Sequence, residues 1–455
     1  MISPIKDDIF LKVINNQLKR YLLNYRNIEN ETKQGILKYG LDFDIPFSYK
    51  NEICDLKKNI QLLGGMISNN GKSIHSKWIS SACEQCRTGE GSYTSFLSLK
   101  CHRDCYFCFN PNQENYEYFQ HEMRDAINEV NEMAAQGYPA THIALTGGEP
   151  LLYRHECIEF FQHVRNRFPL AHTRLYTAGD PLDRKTALAL AEAGLQEIRF
   201  SIKIDDPPEK IDKILRRITL ARHIFPSVMV EMPVIPNSEP QMYALLRKLD
   251  DIGIDGINLL EFCFPLTNSQ AYQSRGFLLK NPPYEIYHNY WYAGGLAVSG
   301  SELACLRVLE FALNENLALG VHYCSLENKH TGQIYQSNGP FRKIENTFFN
   351  AEYYLFSTQD YFYKCAKIFN NQNNQLAAIL SANNIPFHED LLHGFIQFNP
   401  KYIPVFTQFP DLFILLASYI VDTDNQEKWV LKEVHLECTT PTNFLLTDID
   451  GSLCE

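Results

Sequence analysis

The stretch Lys100-Cys101-His102-Arg103-Asp104-Cys105-Tyr106-Phe107-Cys108 follows directly on an apolar run, Ser95–Leu99, that reads as a strand. Its spacing is C-x3-C-x2-C. Three thiolates on one short loop can ligate three irons of a cubane and leave the fourth without a cysteine. An open metal position is what a catalytic centre keeps for its substrate. Taken alone, the spacing would also suit a zinc site or three buried thiols. The next strand-like run, Ile143–Thr146, ends in Ala144-Leu145-Thr146-Gly147-Gly148-Glu149-Pro150. Glycines there let a backbone approach a ligand with no Cβ in the way. Glu149 is placed to accept a hydrogen bond from a cationic group. The bland alternative is an ordinary strand-ending turn.

Outward from these two loops, residues 93–265 alternate short apolar runs with longer amphipathic ones. The strand-like runs are Ser95–Leu99, Ile143–Thr146, Arg174–Thr177, Glu197–Ile202, Val228–Val234 and Gly256–Phe262. Helix-like stretches separate them: Glu122–Gln136, Arg154–Arg167, Arg184–Ala193, Glu209–His223 and Gln241–Asp250. Such alternation predicts a parallel sheet with right-handed crossovers. Six units in this length fit a partial (β/α)6 TIM-like barrel, because a full eight-unit barrel takes ~250 residues. Chemistry in these folds sits at the carboxyl ends of the strands.

The cysteine loop with Phe107 before its last cysteine, followed on the next strand by Gly147-Gly148-Glu149-Pro150, resembles the radical S-adenosylmethionine superfamily over residues 93–265. The resemblance implies a [4Fe–4S] cluster on Cys101, Cys105 and Cys108. It further implies S-adenosylmethionine bound through Phe107, Gly147, Gly148 and Glu149 and cleaved reductively to a 5′-deoxyadenosyl radical, the cofactor supplying the chemistry and the protein positioning it. In this family, polar residues at the ends of strands four and five often contact the cofactor. Here Arg199, Ser201 and Lys203 alternate on the fourth strand, Glu231 lies in the fifth, and Asn258 and Glu261 in the sixth. Which face points inward is not readable, and solvent-facing or satisfied core groups would look the same. The run Cys108-Phe109-Asn110-Pro111-Asn112-Gln113 resembles members that act on peptide or protein side chains, such as the arginine C-methylase of methyl-coenzyme M reductase, which also uses cobalamin. No D-x-H-x-x-G cobalamin fingerprint occurs. A peptide or protein substrate, altered by methylation, epimerisation or cross-linking, is the first expectation. A small molecule or nucleoside substrate is the second, and a non-catalytic iron–sulfur protein the third. An electron donor such as flavodoxin or ferredoxin is implied as a partner.

Cys83-Glu84-Gln85-Cys86 forms a C-x2-C pair upstream of the first strand, a bidentate clamp for zinc or a second iron–sulfur cluster. Cys324, in Val321-His322-Tyr323-Cys324-Ser325, is the preferred third ligand, with Cys305 and Cys54 the other choices. Structural, redox-inert thiols are the competing reading. Cys365, Cys438 and Cys454 are isolated, which departs from the seven-cysteine auxiliary domain of many peptide-modifying members.

The remainder is arranged around this core. Residues 1–75 read as a helical extension, with Ile9, Phe10, Val13, Ile14, Leu18, Tyr21 and Leu22 on one stripe. Residues 76–92 hold the auxiliary cysteine pair and residues 266–344 extend the barrel. That extension includes a Tyr-rich stretch (Tyr284, Tyr287, Tyr290, Trp291, Tyr292), a helix from about Ser301 to Ala318 and a short strand, Gly320–Ser325. Residues 345–455 read as a small C-terminal α+β domain, with a polar loop at Asn370–Gln375. A net charge of -11 argues against a nucleic-acid partner. The apolar run Phe413–Val421 is too short to span a bilayer, which takes ~20 residues. Thirteen cysteines without an export signal point to reduced thiols and a cytoplasmic location.

Overall fold

The computed structural model describes residues 3–4, 15–284, 286, 295–342, 349–369 and 373–449. Ile9, Phe10, Val13, Ile14, Tyr287, Tyr290, Trp291, Tyr292, Cys454 and the start of the 370–375 loop lie outside them. The described chain divides into two compact units. One runs from Tyr39 to His330 apart from a short segment around Ile286; the other takes residues up to Lys38, that segment, and everything from Thr331.

Strand β1 (Ser3–Pro4) and the helix Asn16–Leu37 open the chain, followed by the helix Lys50–Leu62 and a hairpin of β2 (Met66–Ser68) and β3 (Ser73–Ser76). The larger unit then lays down β4 (Ser92–Phe96), β5 (His142–Thr146), β6 (His172–Thr177), β7 (Glu197–Phe200), β8 (Ser227–Val234) and β9 (Gly256–Glu261), each parallel to the one before. This is the expected partial barrel. The sheet goes further than six strands, however. After the short pair β10 (Cys263–Phe264) and β11 (Leu296–Ala297), strand β12 (Gly320–Cys324) adds a seventh parallel strand beside β9, and β3 and β2 close the order antiparallel.

Local chemistry explains the boundaries of the intervening helices. Asp183 caps Arg184–Glu192 by accepting from the Thr186 amide at 2.7 Å, and Pro208 opens Pro208–Arg222, where its missing N–H is no loss. Glu239–Ile252 ends at Gly253, whose left-handed φ of 76° lets its amide return to Leu249 and Asp250. Along β8 the residues Val228, Val230, Met232 and Val234 face the helices, with Phe160, Ile218 and Leu246 in the same core. Strand alternation therefore turns Met229 and Glu231 inward. By register with Met229 and Glu231, Arg199, Asn258 and His322 face the interior, which settles the orientation of Arg199, Glu231 and Asn258.

The smaller unit is an antiparallel sheet ordered β1, β18 (Trp429–Thr439), β17 (Ile414–Thr423), β14 (Tyr363–Ile368), β16 (Phe395–Phe398) and β15 (Phe387–Asp390), with β13 (Leu355–Phe356) on β14. The apolar run at 413–421 thus forms the buried β17. Leu18 and Leu22 of Asn16–Leu37 share a core with Cys365, Leu415 and Ala417 on one face of this sheet. Leu376 and Leu380 of Asn373–Ala382 pack with Ala366, Phe398 and Leu416 on the other. Among the described residues no helix is long and apolar enough to cross a membrane.

Candidate active site

The chain leaves β4 at Phe96 and enters the cysteine loop at the carboxyl end of the sheet. Leu97 and Leu99 are buried but outside the ladder: the Leu97 carbonyl accepts from Arg124 N and the Leu99 amide donates to Phe119 O. Cys101 is exposed, and Cys105 and Cys108 are half-buried. Burial raises all three thiols above their ordinary value, Cys105 to about 11, and the neighbouring Cys108 adds to the shift of both Cys101 and Cys105. The three sulfurs therefore share one neighbourhood. Ligation would have to displace their protons.

The glycine loop lies against this segment at the closest distance backbone allows. A Cβ on Gly148 would stand 2.0 Å from the Lys100 carbonyl oxygen, and one on Gly147 would stand 2.6 Å from Ser98 O. Gly148 N donates to Ser98 O at 3.0 Å and Glu149 N to Lys100 O at 2.9 Å. The glycines thus let two loops touch. Glu149 is 1% exposed and accepts from Thr177 Oγ1 at 2.7 Å, Ala178 N at 2.7 Å and Leu151 N at 3.1 Å. Burial pushes its carboxyl up despite those donors. A carboxylate offers about four lone-pair sites, so one is left beyond the three used here.

Side chains staple the rest of the mouth. Asn110 Nδ2 donates to Gly147 O at 2.7 Å and Asn112 Nδ2 to Pro265 O at 2.6 Å. Phe107 packs edge-on against Tyr106 and Phe262 at ring distances of 5.1 and 5.7 Å. Ser201 lies exposed just past the end of β7, and Lys203 beyond it is close enough for its charge to favour the Cys105 thiolate.

Arg199 and Glu231 lie deeper. Arg199 pairs with Glu197 at 2.5 Å and Glu231 at 2.6 Å and donates to Ser80 Oγ at 3.0 Å; Asn258 Nδ2 also donates to Glu231, at 2.9 Å. Burial opposes the charge of Glu197, yet Arg199, His172 and Ser80 hold it far below the usual carboxylate range. Burial pushes the Cys83 thiol up to about 11, and the charges of Arg199, Glu231 and Glu197 lie close enough to act on it.

The cysteines outside the motif are partly brought together. Cys86 and Cys83 both act on Cys324, which burial raises to about 12. Burial disfavours the ammonium of Lys329, but Cys324, Glu231, Cys263 and Cys86 around it keep its pKa above normal. Among the described residues no three His, Cys, Asp or Glu side chains converge on the position of a single ion. A cubane makes a different demand, because each thiolate binds its own iron. Three neighbouring thiols on an open loop fit that donor set.

Residues 96–249 match the family described as the Radical SAM superfamily. The matched stretch carries both the cysteine loop and the glycine loop, and the family it is similar to uses a [4Fe–4S] cluster and S-adenosylmethionine as cofactors. A protein of Methanocaldococcus jannaschii that bears the provisional name glycyl-radical enzyme activating enzyme is 26% identical over 334 residues, 70% of this chain and 81% of that protein. Among solved structures, Streptococcus suis SuiB bound to precursor peptide SuiA aligns at 14% identity over 40% of this chain and 42% of that one, with a TM-score of 0.33. The methyltransferase TsrM of Kitasatospora setae, with cobalamin and a [4Fe–4S] cluster bound, aligns at 16% identity over 46% and 42%, with a TM-score of 0.32. The chain thus spans less than half the length of these two structures.

Proposed function

We propose that Cys101, Cys105 and Cys108 hold the [4Fe–4S] cluster, that S-adenosylmethionine binds between it and the Gly147–Glu149 loop, and that the enzyme modifies a peptide or protein. The observation carrying this reading is the direct seating of the glycine loop on the cysteine loop, through Gly148 N to Ser98 O and Glu149 N to Lys100 O. Bound there, the cofactor pair supplies a hydrogen-abstracting 5′-deoxyadenosyl radical. The chain's own groups do the rest. Phe107 and Phe262 exclude water beside the cluster loop, and Lys203 offsets the negative charge of the thiolates. Glu149 fixes the glycine loop to β6 through Thr177 and Ala178, with one lone pair left for a cationic ligand group.

The protein or peptide substrate is supported by the archaeal relative, whose name gives it an enzyme to act on. That name also favours a second reading, hydrogen abstraction from a backbone glycine of a partner enzyme in place of a side-chain modification. Anaerobic reconstitution with iron, sulfide, reductant and S-adenosylmethionine should give a four-iron cluster and release 5′-deoxyadenosine. Replacing Cys101, Cys105 and Cys108 with Ala should abolish both. Cleavage that survives those replacements would refute the cluster assignment. Glycyl-radical formation on a co-expressed partner would select the second reading, and a modified side chain the first.

A further inference from the structure

One cation within the cysteine loop is held by two other loops. Arg103 Nε donates to Asp180 Oδ2 at 2.8 Å, Nη2 lies 2.6 Å from the same oxygen, and Nη1 donates to Asp206 Oδ2 at 2.6 Å. His102 Nε2 lies 3.0 Å from Asp180 Oδ2. The Arg103, Asp180 and Asp206 side chains are only 12%, 17% and 8% exposed, so solvent screens the bridge weakly. Asp180 follows β6, two residues after the Ala178 amide that binds Glu149. Asp206 follows β7, and its amide donates to the carbonyl of Lys203.

We propose that Arg103 is a positioning residue for the cluster: its bridge to Asp180 and Asp206 fixes the cysteine loop against the ends of β6 and β7, so that the iron left without cysteine faces the S-adenosylmethionine site. This rests on the cluster reading above. The segment between Lys100 and Asn110 has one turn bond, Cys108 N to Cys105 O at 3.0 Å, and no strand or helix to define its path. The path between Cys101 and Cys105 is therefore set by side chains, and Arg103 stands in its middle. A planar guanidinium fork can bridge two carboxylates at once, whereas a lysine ammonium is a point charge with no such geometry. Burial opposes the charge of Asp180, but His102 and Arg103 hold its carboxyl below the usual range, and Asp206 lies in ion-pair contact with Arg103 at 2.6 Å.

The test uses the full chain, reconstituted anaerobically, as wild type, Arg103→Met, Arg103→Lys and Asp206→Asn. Four quantities are read: iron content, the electron paramagnetic resonance spectrum of the reduced cluster with and without S-adenosylmethionine, the rate of 5′-deoxyadenosine release per cluster, and the melting temperature of the apo-protein. Misplacement near a reacting centre by about 1 Å can cost roughly 100-fold, so Arg103→Met should cleave roughly 10–100-fold more slowly per cluster. Its spectrum should lose the change that S-adenosylmethionine causes in wild type, while its melting temperature stays close to wild type. Arg103→Lys should recover part of the rate, and Asp206→Asn should share the defect from a different loop. Wild-type cleavage per cluster in Arg103→Met overturns the inference. So does a loss explained entirely by lower iron content, with a normal spectral response in the loaded fraction. A wild-type protein that takes up no cluster overturns the cluster reading itself, and the inference with it.

Discussion

Replacing Gly148 with alanine tests whether the glycine loop is there to admit a ligand or to let two backbones touch. The new methyl would stand 2.0 Å from Lys100 O, 2.5 Å from Lys100 C and 2.7 Å from Leu99 C, against ordinary contacts of 3.4–4 Å. All three atoms are backbone, so no side-chain rotation relieves the clash, and the loops must part by more than 1 Å. That movement breaks Gly148 N to Ser98 O and Glu149 N to Lys100 O. Two buried bonds left unmade cost about 1–3 kcal/mol each, before any overpacking strain, so a loss of about 4 kcal/mol is expected. The assay is urea unfolding of the apo-protein, with Gly137→Ala as the control. Gly137 is left-handed, at φ 69°, as Gly148 is not, but nothing lies within 4 Å of its Cβ position, so the strain there should cost only about 1–2 kcal/mol. If Gly148→Ala leaves the apo-protein as stable as the control does and impairs only cofactor binding, the packing argument is wrong.

Other consequences follow from the buried charges. Arg199→Met would strand Glu197 and Glu231 without their cation and should lower stability by about 3–5 kcal/mol; adding Glu197→Gln should return part of the loss in a double-mutant cycle. Burial lowers His322 from 6.5 to about 3, so the unfolded chain takes up a proton below pH 6.5 that the folded chain refuses. Its contribution is therefore complete above pH 6.5 and falls as pH drops, by about 2 kcal/mol at pH 5. Urea unfolding at pH 7.5 and 5 should show that slope, and His322→Asn should flatten it. In the smaller unit Glu433 accepts from Tyr21 and Tyr25 at 2.5 and 2.7 Å and from Tyr419, and pairs with Lys367. Lys367→Met should destabilise that sheet by about 3–5 kcal/mol, measured as a lower melting temperature; an unchanged transition would show that the tyrosines alone carry the charge.

Arg184–Glu192 and Pro208–Arg222 are legible to within a residue because their ends carry their own chemistry, Asp183 and Pro208, whereas the expected Glu122–Gln136 starts too early: the helix is Ala126–Ala135, opened by Asp125. The first barrel strand is Ser92–Phe96, three residues ahead of the apolar run Ser95–Leu99 that suggests it. Leu97 and Leu99 are as apolar as strand residues but satisfy their backbone with Arg124 and Phe119 instead of a neighbouring strand. The seventh parallel strand is legible as a segment, Gly320–Ser325, one residue longer than the observed β12, but not as a member of the sheet, since its partner on β9 lies far away in sequence. In the site, the cysteines and the glycine loop announce themselves by spacing. Asp180 and Asp206 do not, because a carboxylate in a loop looks the same whether it faces solvent or Arg103. The inward face of β8 was recoverable in principle: Val228, Val230, Met232 and Val234 claim the helix side and leave Glu231 the other.

Tyr21 and Glu433 are 412 residues apart in the chain yet share a hydrogen bond. Synthesis at ~5–20 residues per second would separate their emergence from the ribosome by roughly 20–80 s. Helix Asn16–Leu37 must therefore wait, its Leu18 and Leu22 uncovered, while the whole parallel sheet is made and can fold. A segment made 412 residues earlier is thus among the last to find its place, and a chaperone able to hold an amphipathic helix would have its opportunity in that interval.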